Sequence, residues 1–365
     1  MDDIYQQRLA QVRAAFDEWT VDGLMIDDEV NRRWLSGFTG SAGQLIVTRE
    51  KAILATDSRY WEQAIAQAPD FELFKLRRRK GEAVKLFEQT AVTRFGLDST
   101  RITLADAADL KRLKKISWLG IKAPLDRFRA LKTAVELDAI RAAAAITDEV
   151  MAKVNAWARP GMSEKQLAWM LEKEMRERGA DGMAFDVIVA AGKNSARPHH
   201  SPSDYVMQAG DALTVDMGAK LNGYHSDMTR AFFLGAEPTA KFWEIYNLVL
   251  AAQTAVFEQA KAGMSSQAID TIARDIIAAA GYGDNFGHGL GHGVGLEIHE
   301  APHLSNSERA KKETAVVNMT ITVEPGIYLP DWGGIRIEDL GVMTENGIEL
   351  ISHCPKTPII LMENG

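Results

Sequence analysis

Apolar residues recur at helical spacing near the start of the chain. Ile4, Leu9, Val12 and Phe16 predict an amphipathic helix over 4–20. Short apolar runs follow at 23–26, 44–47, 52–55 and 71–76, with helical stretches between them, and read as strands. Strands alternating with helices predict an α/β layer with a partly parallel sheet, continuing to about Lys122. Residues 123–131, with Pro124 and three charges, read as a linker. Two domains are therefore expected, 1–130 and 131–365. Past the linker, 133–158 is expected to be the longest helical stretch, apolar at Val135, Leu137, Ile140, Ala144, Ile146 and Val150. Pro160-Gly161 ends it, and Ser163 with Glu164 and Gln166 caps a second helix to about Gly179. Beyond it strands dominate, at 185–190, 213–217, 225–233, 319–323 and 335–343, interrupted by helices at about 238–261 and 265–280. This second half reads as α+β. A helix pair followed by strands occurs twice, which hints at a duplicated half.

Composition narrows the function. A chain of 365 residues is long enough for two cores. Forty-two Lys and Arg against fifty Asp and Glu give a net charge of −8 without a basic block. That argues against nucleic acid as a partner, since phosphate binding needs a cationic surface. No apolar run approaches the ~20 residues that cross a bilayer. The opening MDDIYQQRLAQ lacks the layout of a signal peptide, so the expected location is cytoplasmic, away from membranes. The single cysteine, Cys354, excludes an intrachain disulfide and argues against a thiolate-ligated metal.

The informative residues are acids and imidazoles. Five of eight histidines fall in two stretches, His199 and His200, then His288, His292 and His299. Asp216, Asp227, Glu324 and Glu338 stand in or beside apolar runs, where an uncompensated carboxylate is costly. Bland readings exist: Asp227 could pair with Arg230, and Glu338 with Arg336 on the same strand face. His225 and His303 read as surface residues, and His353 beside Cys354 as structural. The run from Phe286 to Glu300 places His288 and His292 four apart. Gly287, Gly289, Gly291, Gly293 and Gly295 would each cost about 1 kcal/mol in a helix, which predicts extended or looped chain open to close approach. Four carboxylates, one or two imidazoles and no thiolate suit manganese or a similar divalent ion. So many acids suggest two ions sharing carboxylates, a Lewis-acid pair acting on a carbonyl.

Five segments, ARPHH (196–200), VDMGAKLNGYHSDMTR (215–230), GHGLGHGVGLEIHE (287–300), TVEPGIY (322–328) and GGIRIED (333–339), together resemble the pita-bread metallopeptidases. The resemblance is to their proline-specific branch, Xaa-Pro aminopeptidase and Xaa-Pro dipeptidase (prolidase). WLSGFTGSAGQLIVT (34–48) and TDSRYWEQA (56–64) are similar to the creatinase-type N-terminal domain. The implied fold is an α/β creatinase-type N-terminal domain followed by an α+β pita-bread catalytic domain. By the resemblance, Asp216 binds one metal, Asp227 and Glu338 bridge two, and His292 and Glu324 complete the other. His299 hydrogen-bonds substrate and supports the tetrahedral intermediate, and His199 lies on the substrate's far side. His288 and Arg336 orient the ligands from behind, and Glu324 takes the proton from the attacking water. His200 follows His199 directly, so the two could exchange places. Asn318 and Arg197 depart from the pattern, standing where many relatives have glycine and an aliphatic residue.

The expected activity is cleavage of the bond between an N-terminal residue and a following proline. The cofactor would be two divalent ions, manganese first, with cobalt or zinc as alternatives. Short proline-containing peptides are the expected partners, and a homodimer or homotetramer the expected assembly. A dipeptidase restricted to Xaa-Pro is the near alternative. A metal-free creatinase-like C–N hydrolase, or a binding module without catalysis, is the distant one.

Overall fold

The computed structural model describes residues 4–77 and 81–360. Residues 1–3 and 361–365, the outer ends of the two expected domains, lie outside the described residues, as do 78–80. The chain forms two compact units, Met1–Phe128 and Arg129–Gly365. Among the described residues no helix is long and apolar enough to cross a membrane.

In the N-terminal unit the expected opening helix is two, Ile4–Ala14 and Phe16–Trp19, and Leu9, Val12 and Phe16 are buried. Six strands form one mixed sheet in the order Glu72–Lys75, Ala52–Thr56, Gln44–Thr48, Gly23–Ile26, Arg94–Asp98, Ser117–Ile121. Gln44–Thr48 pairs antiparallel with both neighbours and the remaining pairs are parallel. The last two strands escaped the sequence reading. Arg94–Asp98 is charged at both ends, and Ser117–Ile121 is a half-exposed edge without clean alternation. Buried Arg32 donates to the carbonyls of Asp27, Gly40 and Gly43 at 2.9, 2.6 and 2.9 Å, which pins the GFTGSAG loop. The segment read as a linker instead holds a short helix, Asp126–Ala130, with Leu125 and Ala130 buried. Its charges and proline disguised apolar positions at helical spacing.

The C-terminal unit carries the two helix pairs. Ala134–Met151 and Glu164–Glu177 pack against a four-stranded sheet ordered Ile359–Ile360, Met228–Leu234, Ala212–Met217, Ile188–Ala191. Ala240–Gln259 and Ser266–Ala279 cover a second core with the sheet Thr320–Val323, Asp339–Thr344, Gly347–Leu350 and the ribbon Gly326–Leu329 with Gly333–Arg336. Ala240–Gln259, with 20 residues, is the longest helix; the stretch expected to be longest divides into Ala134–Met151 and Val154–Trp157. Thr133 with Glu136, and Ser163 with Gln166, form capping boxes, the second as the sequence predicts.

Two predicted strands are broken. The run 225–233 is Tyr224–His225 and Met228–Leu234, and 335–343 is Gly333–Arg336 and Asp339–Thr344. Asp227 and Glu338 sit in these gaps, where the chain leaves one strand pairing for another. The run 185–190 becomes strand only at Ile188.

Candidate active site

Alternation along Ala212–Met217 decides where Asp216 points. Leu213, Val215 and Met217 enter the core beneath the first helix pair, which leaves Thr214 and Asp216 on the other face. On Thr320–Val323 the same rule buries Ile321 and Val323 and turns Thr320 and Thr322 toward the glycine-rich segment. Thr322 Oγ1 accepts the His292 N–H at 3.0 Å. That segment lies flush on its neighbours: a Cβ on Gly291 would meet Thr322 O at 2.0 Å, and one on Gly293 would meet Ala301 O at 2.1 Å. Only glycine permits this approach. As expected the segment is not helical; Gly291–Gly293 forms an antiparallel ribbon with Glu300–Leu304. Asn318 has φ +70°, the left-handed backbone that glycine and then asparagine favour, which accounts for its departure from the family pattern.

The acids converge. Ligand-type atoms of Asp227, His292 and Glu338 lie within 4.8 Å of one another. His292 Nε2 is 3.6 Å from Asp227 Oδ2 and 3.5 Å from Glu324 Oε1. Burial and then neighbouring carboxylates, Glu338 first, push Asp227 well above the usual carboxylate range. Glu338 rises for the same reasons, with Glu324 its main neighbour. Burial pushes Glu324 up to about 8, with Arg336 pulling it back and Asp216 adding to the rise. The protein alone supplies too little positive charge for this cluster. Asp216 Oδ1 and Glu338 Oε1 are buried with no hydrogen-bond partner among the described residues. Unpartnered carboxylate oxygens, clustered like charges and an imidazole nitrogen fit a divalent cation site.

His292 turns a lone pair toward the acids. Its Nδ1 faces Gly293 O at 3.0 Å, and a carbonyl can only accept, so the proton sits there and the Nε2 lone pair faces the carboxylates. Burial, then His299, holds its pKa down to about 3, which keeps it neutral. Behind the acids, Arg336 donates Nη2 to Asp216 Oδ2 at 2.7 Å and Nη1 to Tyr328 Oη at 2.8 Å. Tyr328 and His288 Nε2 are 2.9 Å apart, and His288 Nδ1 faces Gly289 O at 2.8 Å. Burial, then Arg336, holds His288 down to about 4, so Tyr328 donates to it.

Asp216, Asp227, His292, Glu324, Glu338, His288, Arg336, His199 and His299 all line one cleft of about 450 Å³. The His299 ring stands 4.4 Å from that of His292, centroid to centroid, and burial followed by His199 and His303 lowers its pKa. His199 and His200 part company. His199 lines the cleft, whereas buried His200 turns away to Glu164 at 2.8 Å.

Several expected pairings are not made. Arg230 pairs with Asp339 at 2.7 Å rather than with Asp227, and Arg336 chooses Asp216 over Glu338 because the strand ends between them. His225 is buried, not on the surface; the Gly295 carbonyl, 2.9 Å from Nδ1, satisfies the ring. His303 is not a plain surface residue either: it lines the cleft, 3.6 Å from Glu313. His353 is exposed, and its backbone N–H and that of Cys354 donate to Asp148 Oδ1. Thr229 and Tyr328 were missed as individual residues. Thr229 stands two positions after Asp227, and Tyr328 ends the TVEPGIY segment, so each was within reach of the motifs.

The model of metallopeptidase family M24 matches residues 138–345, and that of the creatinase/prolidase N-terminal domain matches 8–131. An uncharacterised peptidase of Bacillus subtilis is 39% identical, aligned over 97% of this chain and 100% of its own. The solved structure of an Xaa-Pro dipeptidase from Bacillus anthracis superposes with TM-score 0.93 at 38% identity, covering 98% and 100% of the two chains. An X-Pro aminopeptidase structure from Thermotoga maritima gives 0.88 at 33% identity, covering 97% and 100%. The catalytic half thus has the pita-bread fold that the sequence motifs implied. The chain belongs to metallopeptidase family M24, with a creatinase/prolidase-type domain ahead of its peptidase domain.

Proposed function

We propose that the protein is an Xaa-Pro aminopeptidase, removing the N-terminal residue from peptides whose second residue is proline. The observation that carries the reading is the convergence of Asp227, His292 and Glu338 within a cleft that also holds His199 and His299. Asp227 and Glu338 would be shared by two divalent ions, Asp216 would hold one, and His292 and Glu324 the other. Oxygen-rich ligands without thiolate favour manganese, with cobalt or zinc as alternatives. Bound there, the ions polarise the scissile carbonyl and make water more acidic.

The rest falls to the chain itself. Glu324 would accept the proton of the attacking water and pass it to the leaving nitrogen. Neutral His299 keeps one N–H to donate to the substrate, and His199 supplies a second donor from the same cleft. Phe185, Ile188 and Ile298 give apolar wall for a proline ring. The bond before proline is a tertiary amide with no N–H, so recognition must be by shape.

Arg336 is the only lysine or arginine among the described residues lining the cleft, and it is committed to Asp216 and Tyr328. A dipeptide carboxylate would lack a dedicated cation, which favours longer peptides. The dipeptidase reading draws on relatives named Xaa-Pro dipeptidase and on His303, which Glu313 would support as a carboxylate partner. Manganese-loaded protein should be offered Xaa-Pro, Xaa-Pro-Yaa and Xaa-Ala-Yaa peptides. Xaa-Pro-Yaa should give the highest kcat/KM and Xaa-Ala-Yaa none. Equal cleavage of the proline and alanine tripeptides overturns proline specificity, and cleavage of Xaa-Pro alone makes the enzyme a dipeptidase.

A further inference from the structure

His199 and His299 are both exposed within the cleft, and each is followed by a residue turned the other way and buried in a polar contact. His200 Nε2 lies 2.8 Å from Glu164 Oε2, with the side chains 6% and 0% exposed. Lys132 Nζ lies 3.0 Å from Glu300 Oε2, with the side chains 1% and 3% exposed. None of these four lines the cleft.

Glu164 begins the helix Glu164–Glu177, whose Ser163 cap fixes its place. Its carboxylate accepts from Ala191 N at 2.9 Å, Asn194 Nδ2 at 2.9 Å, His200 Nε2 at 2.8 Å, Ser203 N at 2.9 Å and Ser203 Oγ at 2.6 Å. These donors span 191–203 and bracket Pro198 and His199. Burial alone would raise the Glu164 pKa, but the donors outweigh it and hold the group below its ordinary value. Glu300 is gathered similarly. It accepts from Lys132 and from Glu297 N at 3.1 Å, pairs with Arg129 at 3.2 Å, and Lys132 also donates to Arg129 O at 2.8 Å. The contacts at Glu297 and Glu300 bracket His299.

A buried polar or charged pair is weak as a source of stability, because desolvation offsets the attraction. What these pairs provide is position. A displacement of about 1 Å at a reacting centre can cost about a hundredfold in rate. We propose that Glu164 and Lys132 are positioning residues, Glu164 fixing His199 through His200 and the 191–203 segment, and Lys132 fixing His299 through Glu300. This rests on the reading of His199 and His299 as substrate-binding groups.

Double-mutant cycles on the full-length, manganese-loaded protein test it, with kcat and KM on an Xaa-Pro-Yaa peptide and metal content measured for each variant. Glu164→Gln and Lys132→Met should each lower kcat about tenfold or more at unchanged metal content. In the His199→Ala background Glu164→Gln should change kcat less than about twofold, while Lys132→Met keeps its full effect. In the His299→Ala background the two should exchange behaviour. Equal losses in both backgrounds, or metal lost in step with kcat, overturn the proposal in favour of a general structural role. If His199→Ala and His299→Ala themselves leave kcat intact, the reading of the histidines fails first and the anchors fall with it. Should Glu164→Gln or Lys132→Met not fold, His200→Asn and Glu300→Gln must show the same background-specific pattern.

Discussion

Arg336 donates to Asp216 Oδ2 at 2.7 Å although Glu338 stands only two residues away along its own chain. Its Nε donates to Thr229 Oγ1 at 3.1 Å, and that hydroxyl donates to Glu338 Oε2 at 2.7 Å. One guanidinium therefore orients two carboxylates, the first directly and the second through a relay. Thr229→Val keeps the side-chain shape and removes the relay. It should weaken manganese binding about tenfold, with kcat falling alongside, because Glu338 would lose the partner of its second oxygen. Arg336→Lys should cost more, since an ammonium cannot span Asp216, Tyr328 and Thr229 together. Isothermal titration with manganese checks both; an unaltered affinity in Thr229→Val would remove the relay from the account.

Stripped of ions, the cluster makes stability depend on pH. The Glu324 carboxyl rises from 4.5 to about 8, and Asp227 and Glu338 rise too. A folded pKa above the unfolded one means that folding favours the proton. The contribution is complete below the unfolded value and lost as pH climbs through the folded one. His292, lowered from 6.5 to about 3, has the opposite sign and loses its contribution only as pH falls below the unfolded value. Above neutrality the carboxylates therefore act alone. The melting temperature of chelator-treated protein should fall between about pH 6.5 and about pH 8.5, and manganese should restore more at the alkaline end. Scanning fluorimetry with and without chelator reads this directly, and a flat profile would contradict the charge clustering.

The same argument separates stability from activity at one residue. Asp227→Asn removes a charge that Glu338, Asp216 and Glu324 all oppose. The chelated variant should melt higher than chelated wild type at about pH 8, by roughly 2–4 °C for each kcal/mol of repulsion relieved. Loaded with manganese it should retain little metal and lose more than about a hundredfold in kcat, beyond what groups behind the ligands usually cost. Full metal content and hydrolysis in this variant would remove Asp227 from the site.

What could be read from the sequence followed from patterns that depend on nearest neighbours. Asp216 and Glu324 stood out because each interrupts an apolar run, and alternation explains how each leaves the core. Ser163 with Gln166 was readable because a capping box is local. What escaped was decided by partners distant in sequence. Arg230 lies three residues from Asp227 but pairs with Asp339, across 109 positions. His225 passed for a surface residue because its acceptor, the Gly295 carbonyl, is 70 positions away. The strand gaps at Asp227 and Glu338 were hidden because no glycine or proline stands in them to mark a break. His200 carried no local sign that its partner would be Glu164, 36 positions earlier.

The glycine run gives a prediction in which none of the clustered acids or imidazoles is touched. A Cβ on Gly291 would lie 2.0 Å from the Thr322 carbonyl oxygen, and backbone cannot turn aside as a side-chain tip can. Gly287, four residues earlier in the same run, has nothing within 4 Å of its built Cβ. Gly291→Ala must push the segment off the strand Thr320–Val323, and with it the hydrogen bond from His292 N to Thr322 Oγ1. The expected loss is about 1–3 kcal/mol of stability, the range for overpacking a close-packed site. Manganese affinity should fall as well, because His292 is carried away from Asp227 and Glu324. Gly287→Ala should be neutral or gain about 0.4–1 kcal/mol by restricting the unfolded chain. Chemical denaturation and metal titration of the two variants separate the effects. If Gly291→Ala bound manganese as tightly as Gly287→Ala, the flush packing of glycine on Thr322 would have no part in placing His292.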